Sequence, residues 1–230
     1  IEPGETKTYK LTLESTGDTV ITGAKVDLNF DIRTTSAYVE EQTRLKAVSF
    51  AQDAGIITAV SGDNSTSSSP SLQKALFIPK TVDSTTITAY GSGSSISLSS
   101  NIKYIIFVAD ITSIGNSAFN NCSGLTSVSL PSSVTSIGDY AFQYCSGLTS
   151  IEIPSSVISI GDDAFSGCSS LSSITIPSSV TSIGQYAFFD CSSLTSVTIP
   201  SSVTSIEFYA FFNCSGLTSI TFGENSKLAS

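Results

Sequence analysis

Histidine, methionine and tryptophan are absent from this chain of 230 residues, and charged residues make up only 13% of it. Without histidine it lacks the usual general base near neutral pH and the commonest metal ligand. Its many serines therefore have no partner to make them nucleophiles. No apolar run approaches the ~20 residues needed to span a membrane as a helix. Basic residues are missing from one long stretch: none lies between Lys103 and Lys227, while eight Asp or Glu do. Such a segment cannot neutralise phosphates, so nucleic acid and anionic membrane surfaces are poor partners. At 40% hydrophobic residues and a net charge of −9, the chain is not disordered by composition. It begins at Ile1 with no signal peptide and ends on FGENSKLAS, inside what would be another repeat unit. We read it as a mature fragment of a longer protein.

What is present is a period. Cys122, Cys145, Cys168, Cys191 and Cys214 are spaced 23 apart, as are Phe119, Phe142, Phe165, Phe188 and Phe211, and Leu125, Leu148, Leu171, Leu194 and Leu217. Each unit is too small to bury its own apolar face, so stacked units must share one core. Within a unit, LTSVSL (125–130) predicts a strand with Leu125, Val128 and Leu130 inward, joined to its neighbours in a parallel sheet. Pro131 ends that strand for want of an N–H. SSVTSIG turns inward again through Val134 and Ile137. Gly138 supplies a tight corner, although Glu207 fills that slot in the last full unit. Ala141 and Phe142 enter the core. Two degenerate units precede the cysteine ladder. ALFIPKTVDSTTITAYG (75–91) sets Gly91 in the slot of Gly115. NIKYIIFVADITSIG (101–115) sets Ile102, Ile105 and Phe107 in the slots of Leu125, Val128 and Leu130.

Residues 1–72 lack the repeat. Tyr9, Leu11 and Leu13, then Val26, Leu28, Phe30 and Ile32, alternate with polar residues and predict two strands. They resemble the opening hairpin of Ig-like modules of bacterial surface proteins. EEQTRLKAV is compatible with helix, SFAQDAGIITAV favours strand, and GDNSTSSSPS reads as a solvated loop. The expected fold is mainly β: a small β-rich N-terminal module, 1–72, then a leucine-rich-repeat solenoid with a parallel sheet, 73–230.

The pattern C-S-x-L-T-S-I-x-I-P-S-S-V-T-S-I-G-x-x-A-F, in five close copies, resembles the BspA-like leucine-rich repeats of bacterial cell-surface proteins. The resemblance covers about 155 residues. It implies a curved solenoid, an extracellular or cell-surface location, and adhesion to host or bacterial proteins.

Five cysteines in one slot permit disulfides, a metal ladder or a column of buried thiols. The odd count, the parallel side-chain directions and the lack of companion ligands favour buried thiols. Asp162 and Asp163 could touch calcium, but a solvated loop is the simpler reading. Asn64, Asn121 and Asn213 match the glycosylation sequon. No catalytic residue, metal site or cofactor is implied. The variable positions flanking the Ala-Phe pair collect aromatics: Tyr140, Tyr144, Tyr186, Phe189, Phe208, Tyr209 and Phe212. These are the candidate partner-binding residues, with packing of Phe189 and Phe212 against neighbouring units the competing reading. Outward slots at Thr126, Ser127, Ser129, Thr149, Ser150 and Glu152 predict a second, hydroxyl-lined face. The expected role is binding of a protein partner. The alternatives are a structural spacer and a glycan-binding module.

Overall fold

The computed structural model describes residues 49–53, 56–61, 74–78, 81–82, 85–91, 98, 102–107, 110–226 and 228. The proposed N-terminal strands of residues 9–32 lie outside them. The Ala37–Val60 stretch is described only from residue 49, where strands Ser49–Asp53 and Ile56–Ser61 form an antiparallel hairpin.

From residue 74 the chain winds as a solenoid with three walls, and no helix occurs among the described residues. The first wall is built from the Ser-Ile dipeptides: Ser113–Ile114, Ser136–Ile137, Ser159–Ile160, Ser182–Ile183 and Ser205–Ile206. They pair in parallel, each serine opposite the next and each isoleucine opposite the next. Ala89–Tyr90 extends this ladder, and the 49–61 hairpin joins it through pairing of Ile56 with Ala89. This sheet of eight strands is the continuous one.

The LTSVSL segments form the second wall, which the sequence presented as the main sheet, but it is broken. Lys74–Ile78, Ile102–Phe107, Ser127–Ser129 and Ser150–Ile151 make one sheet, and Ser196–Ile199 with Ser219–Phe222 another. A single bridge, Glu152 to Thr175, joins the first of these sheets to the intervening unit. The N–H···O distances there explain the break. They lengthen from 2.8 Å (Thr126 to Lys103) through 3.2 and 3.3 to 3.4 Å (Thr195 to Ser172). The equivalent bonds of the first wall, such as Gly161 to Ile137, stay at 2.7–3.0 Å. The predicted register holds: Ile105 lies opposite Val128, and Tyr90 opposite Ile114, which puts Gly91 level with Gly115.

Between the walls runs the core. Leu125, Val128, Val134, Ile137, Ala141 and Phe142, with their equivalents through Val203, are buried. Leu130 departs from expectation in being half-buried, whereas Ile153, Ile176 and Ile199 in its slot are buried. The phenylalanines Phe119, Phe142, Phe165, Phe188 and Phe211 stack with centroids 5.1–5.4 Å apart. Tyr90 adds a sixth ring at 4.7 Å from Phe119. It reaches the stack from the isoleucine slot of its unit, opposite Ile114.

Candidate interaction surface

The third wall is the turn that carries the Ala-Phe pair, and its backbone decides what its side chains can do. Amides of alternate residues donate forward to the next unit: Ser117 to Asp139, Phe119 to Ala141 and Asn121 to Gln143, at 2.7–2.8 Å. On the other two walls the amides donate backward. This reversal requires two left-handed residues per unit. Ser117, Tyr140, Asp163, Tyr186 and Tyr209 hold the first such slot, with φ of 53–57°. Asn121, Tyr144, Asp190 and Asn213 hold the second at 58–62°, joined by Gly167 at 73°. Left-handed backbone costs an ordinary residue ~1–2 kcal/mol and favours Asn, Asp and Gly. Tyrosine in four of these ten positions therefore runs against local preference.

Interlocking side chains on this wall reveal what the corner glycines do. Asn116 Oδ1 accepts the Asp139 amide, Asp139 Oδ1 the Asp162 amide, and Asp162 Oδ1 the Gln185 amide. A Cβ on Gly138, Gly161 or Gly184 would stand 2.4–2.6 Å from that oxygen. None of these three glycines has a positive φ. Close approach to the preceding unit, rather than a left-handed corner, requires the glycine. The chain of acceptors ends at Gln185, one unit before Glu207, which is the unit where the glycine is replaced.

The sequence-predicted aromatics all lie on this wall, to different depths. Phe208 is 74% exposed, Tyr209 and Phe212 about half, Tyr144 52% and Tyr140 42%. Tyr186 and Phe189 are half-buried. Four rings form a block: Tyr186 stacks on Tyr209 at 5.3 Å and Phe189 on Phe212 at 6.0 Å, with edge-on contacts Tyr186–Phe189 and Tyr209–Phe212. Phe189 thus does pack against the neighbouring unit, while Phe212 also presents surface. Tyr144 lies over Gly167, the smallest residue in that slot. The carboxylates among these rings already accept bonds from within the chain. Gln143 Nε2 donates to Asp163 Oδ1 at 3.2 Å, Ser205 to Glu207 at 2.6 Å, and Asn213 to Asp190.

The hydroxyls of the second wall are less free than an open ladder would be. Thr126, Thr149, Ser172, Thr195 and Thr218 each donate to a carbonyl of the preceding unit. They are used as fasteners. A shallow groove lies between the 127–132 and 150–155 segments, lined by Ser127, Ser129, Ser150 and Glu152.

All five cysteines are free and buried. Cys145, Cys168, Cys191 and Cys214 donate their S–H to the carbonyl of the phenylalanine one unit back, at 3.0–3.2 Å. Burial pushes the Cys168 thiol up to about 12 and raises Cys191 and Cys214 as well. Thiols held protonated in this way are neither nucleophiles nor metal ligands at neutral pH.

The family model for the BspA type leucine-rich repeat region matches residues 93–218, in six copies. The chain belongs to the BspA-type leucine-rich repeat family. Solved structures agree. A leucine-rich repeat protein of Bacteroides ovatus is 28% identical over 79% of this chain and 44% of its own, with a TM-score of 0.55. A leucine rich cell surface protein of Faecalibacterium prausnitzii is 29% identical over 77% of this chain and 54% of its own, with a TM-score of 0.52. The pneumococcal vaccine antigen PcpA shares the fold at 23% identity, a TM-score of 0.54, and coverage of 78% of this chain and 49% of its own. The chain therefore spans about half the length of these structures. A comparison with curated proteins finds no match. BspA-type solenoids of this kind are generally non-enzymatic, and leucine-rich repeats commonly bind proteins. No helix among the described residues is long and apolar enough to cross a membrane.

Proposed function

We propose that this BspA-type solenoid is a non-catalytic, extracellular or cell-surface module that binds a protein partner through its turn wall. One observation carries the reading. Tyr140, Tyr144, Tyr186 and Tyr209 occupy left-handed positions where the backbone favours Asn, Asp or Gly. Three of the four are substantially exposed and the fourth half-buried. Neither backbone preference nor the core accounts for their selection there. Strained residues of this type gather at binding and active sites. Tyrosine suits an interface, having a large apolar body, a polar tip and few rotors. The cell-surface description of the F. prausnitzii relative supports the location.

The test is capture of extracellular proteins from host cells and co-resident bacteria, comparing the parent with the variant Tyr140→Ser, Tyr144→Ser, Tyr186→Ser. Serine already occupies the first slot at Ser117, so the fold is expected to survive. A partner held by the parent and lost with the variant supports the reading. Equal retention by a folded variant would place the binding face elsewhere.

A further inference from the structure

Charge and aromatic rings are arranged together on the turn wall, and the arrangement selects a partner's chemistry. Asp139, Asp162, Asp163, Asp190 and Glu207 all lie on it or at its margin, among seven aromatic residues. No lysine or arginine exists between Lys103 and Lys227 to offset them. Among the described residues no ion pair engages any of the five. The hydrogen bonds they accept leave spare lone pairs: Asp162 and Asp163 each use Oδ1, and Oδ2 of both has no hydrogen bond among the described residues.

The middle unit makes a notch. Its first slot holds Asp163, smaller than Tyr140 and Tyr186 on either side, while its second slot, Gly167, is covered by the Tyr144 ring. Asp163 holds the same left-handed slot as Tyr140 before it and Tyr186 after it. Those two tyrosine slots are separated by two unit steps, ~10 Å at the spacing of a parallel sheet. A cation midway between the two slots would lie ~5 Å from each, within the range at which a ring facing it exerts cation–π attraction. The carboxylates of Asp162 and Asp163 would lie beneath it. One unit further on, Phe208, Tyr209 and Phe212 offer a second exposed aromatic surface beside Glu207 and Asp190.

We propose that the turn wall receives a basic, arginine- or lysine-bearing segment of its partner, with one cationic side chain seated in the notch between Tyr140 and Tyr186 over Asp162 and Asp163. The proposal rests on the protein-binding reading above and adds the partner's chemistry. Arginine fits best, since its flat guanidinium can stack on a ring and still donate to carboxylates in its own plane. An acidic or phosphate-rich partner is disfavoured by the same field.

The probe is a synthetic peptide of alternating arginine and glycine, with a second in which citrulline replaces every arginine. Citrulline keeps the planar shape but loses the charge and part of the donor set. Binding to the full chain is read by fluorescence anisotropy at low and high salt. Two variants are compared with the parent: Tyr140→Ser with Tyr186→Ser, and Asp162→Asn with Asp163→Asn. Both use residues that other units carry on the same wall, and Asp162→Asn keeps the acceptor for the Gln185 amide. Thermal melts check that both fold. The arginine peptide is expected to bind the parent and lose about tenfold or more in affinity with each variant, about 1.4 kcal/mol. The citrulline peptide is expected not to bind.

Three outcomes would overturn the proposal: no binding of the arginine peptide, equal binding of the citrulline peptide, or full affinity in the tyrosine variant. The last would reduce the effect to attraction by a diffuse negative field. If these peptides fail while a captured protein still depends on Tyr140, Tyr144 and Tyr186, the protein-binding reading stands and only the cationic chemistry falls.

Discussion

A thiol that sees no water and donates to a backbone carbonyl, as Cys168 does, responds to alkali in one direction. Its folded pKa is raised by burial from 9.0 to about 12. Below pH 9 both the folded and unfolded chains keep the proton, and stability is full. Between pH 9 and 12 the unfolded chain loses it and the folded chain does not, so stability falls as pH rises. That difference sets an upper bound of about 4 kcal/mol for this one group. Melting temperature should therefore decline steadily between pH 8.5 and 11, and Cys168→Ala should flatten the slope. Equal slopes for the two proteins, by differential scanning calorimetry, would show a thiol that titrates as if exposed. Burial of the cysteines was legible in the sequence, since their slot lies between Phe and Leu and no His or acidic ligand recurs beside each of them. Their carbonyl acceptors were not, because Cys168 Sγ and Phe142 O are 26 residues apart. The role of Gly184 was hidden similarly. Its need for no side chain comes from Asp162 in the unit before, so neither residue alone announces it.

At the scale of the element, the ring stack is the longest unbroken feature of the core, and its cost of interruption depends on place. Phe165 is fully buried with a ring on each side, at 5.3 and 5.4 Å. Phe211 is half-buried and has Phe188 at 5.1 Å on one side. Phe165→Ala should cost ~3–5 kcal/mol, the range for a truncated buried aromatic, and Phe211→Ala clearly less. Urea titration of the two variants against the parent measures the difference. Equal losses would mean that the stack adds nothing beyond the burial of individual rings. Here too the sequence went only part of the way. Period and residue type identified the inward slots, and the parallel register followed. Tyr90 did not follow, because a ring joined the stack from a slot that elsewhere holds isoleucine. Nor could the sequence rank the walls: Ser-Ile dipeptides look weaker than LTSVSL, yet they form the continuous sheet, since the second wall's hydrogen bonds stretch in its middle units. Of the candidate interaction surface, the aromatic slots were legible from their variability between units. The left-handed backbone beneath the tyrosines was not, because tyrosine is a poor signal for that conformation.

For the molecule as a whole, each unit touches its neighbours through the same kit of bonds, spaced 22 to 26 residues apart in the side-chain and backbone ladders. Removing residues 139–161 would bring Asp162 behind Gly138, in the slot Asp139 leaves. The Asp162 amide would then meet Asn116 Oδ1, and Phe165 would stack on Phe119. Such a shortened chain is expected to fold, with an unchanged β signature by circular dichroism and a cooperative melt slightly below the parent's. Removing only 140–161, one residue fewer, should abolish cooperative melting, because every inward slot beyond the junction turns out of line. The corner-glycine interlock carries this consequence beyond the test tube. Neighbouring units repeat their inward residues at the same 23-residue spacing, so gain or loss of one whole unit preserves the fit. The length of the array is thus a dimension the fold leaves open, changeable by whole units while the joints between the remaining units are kept.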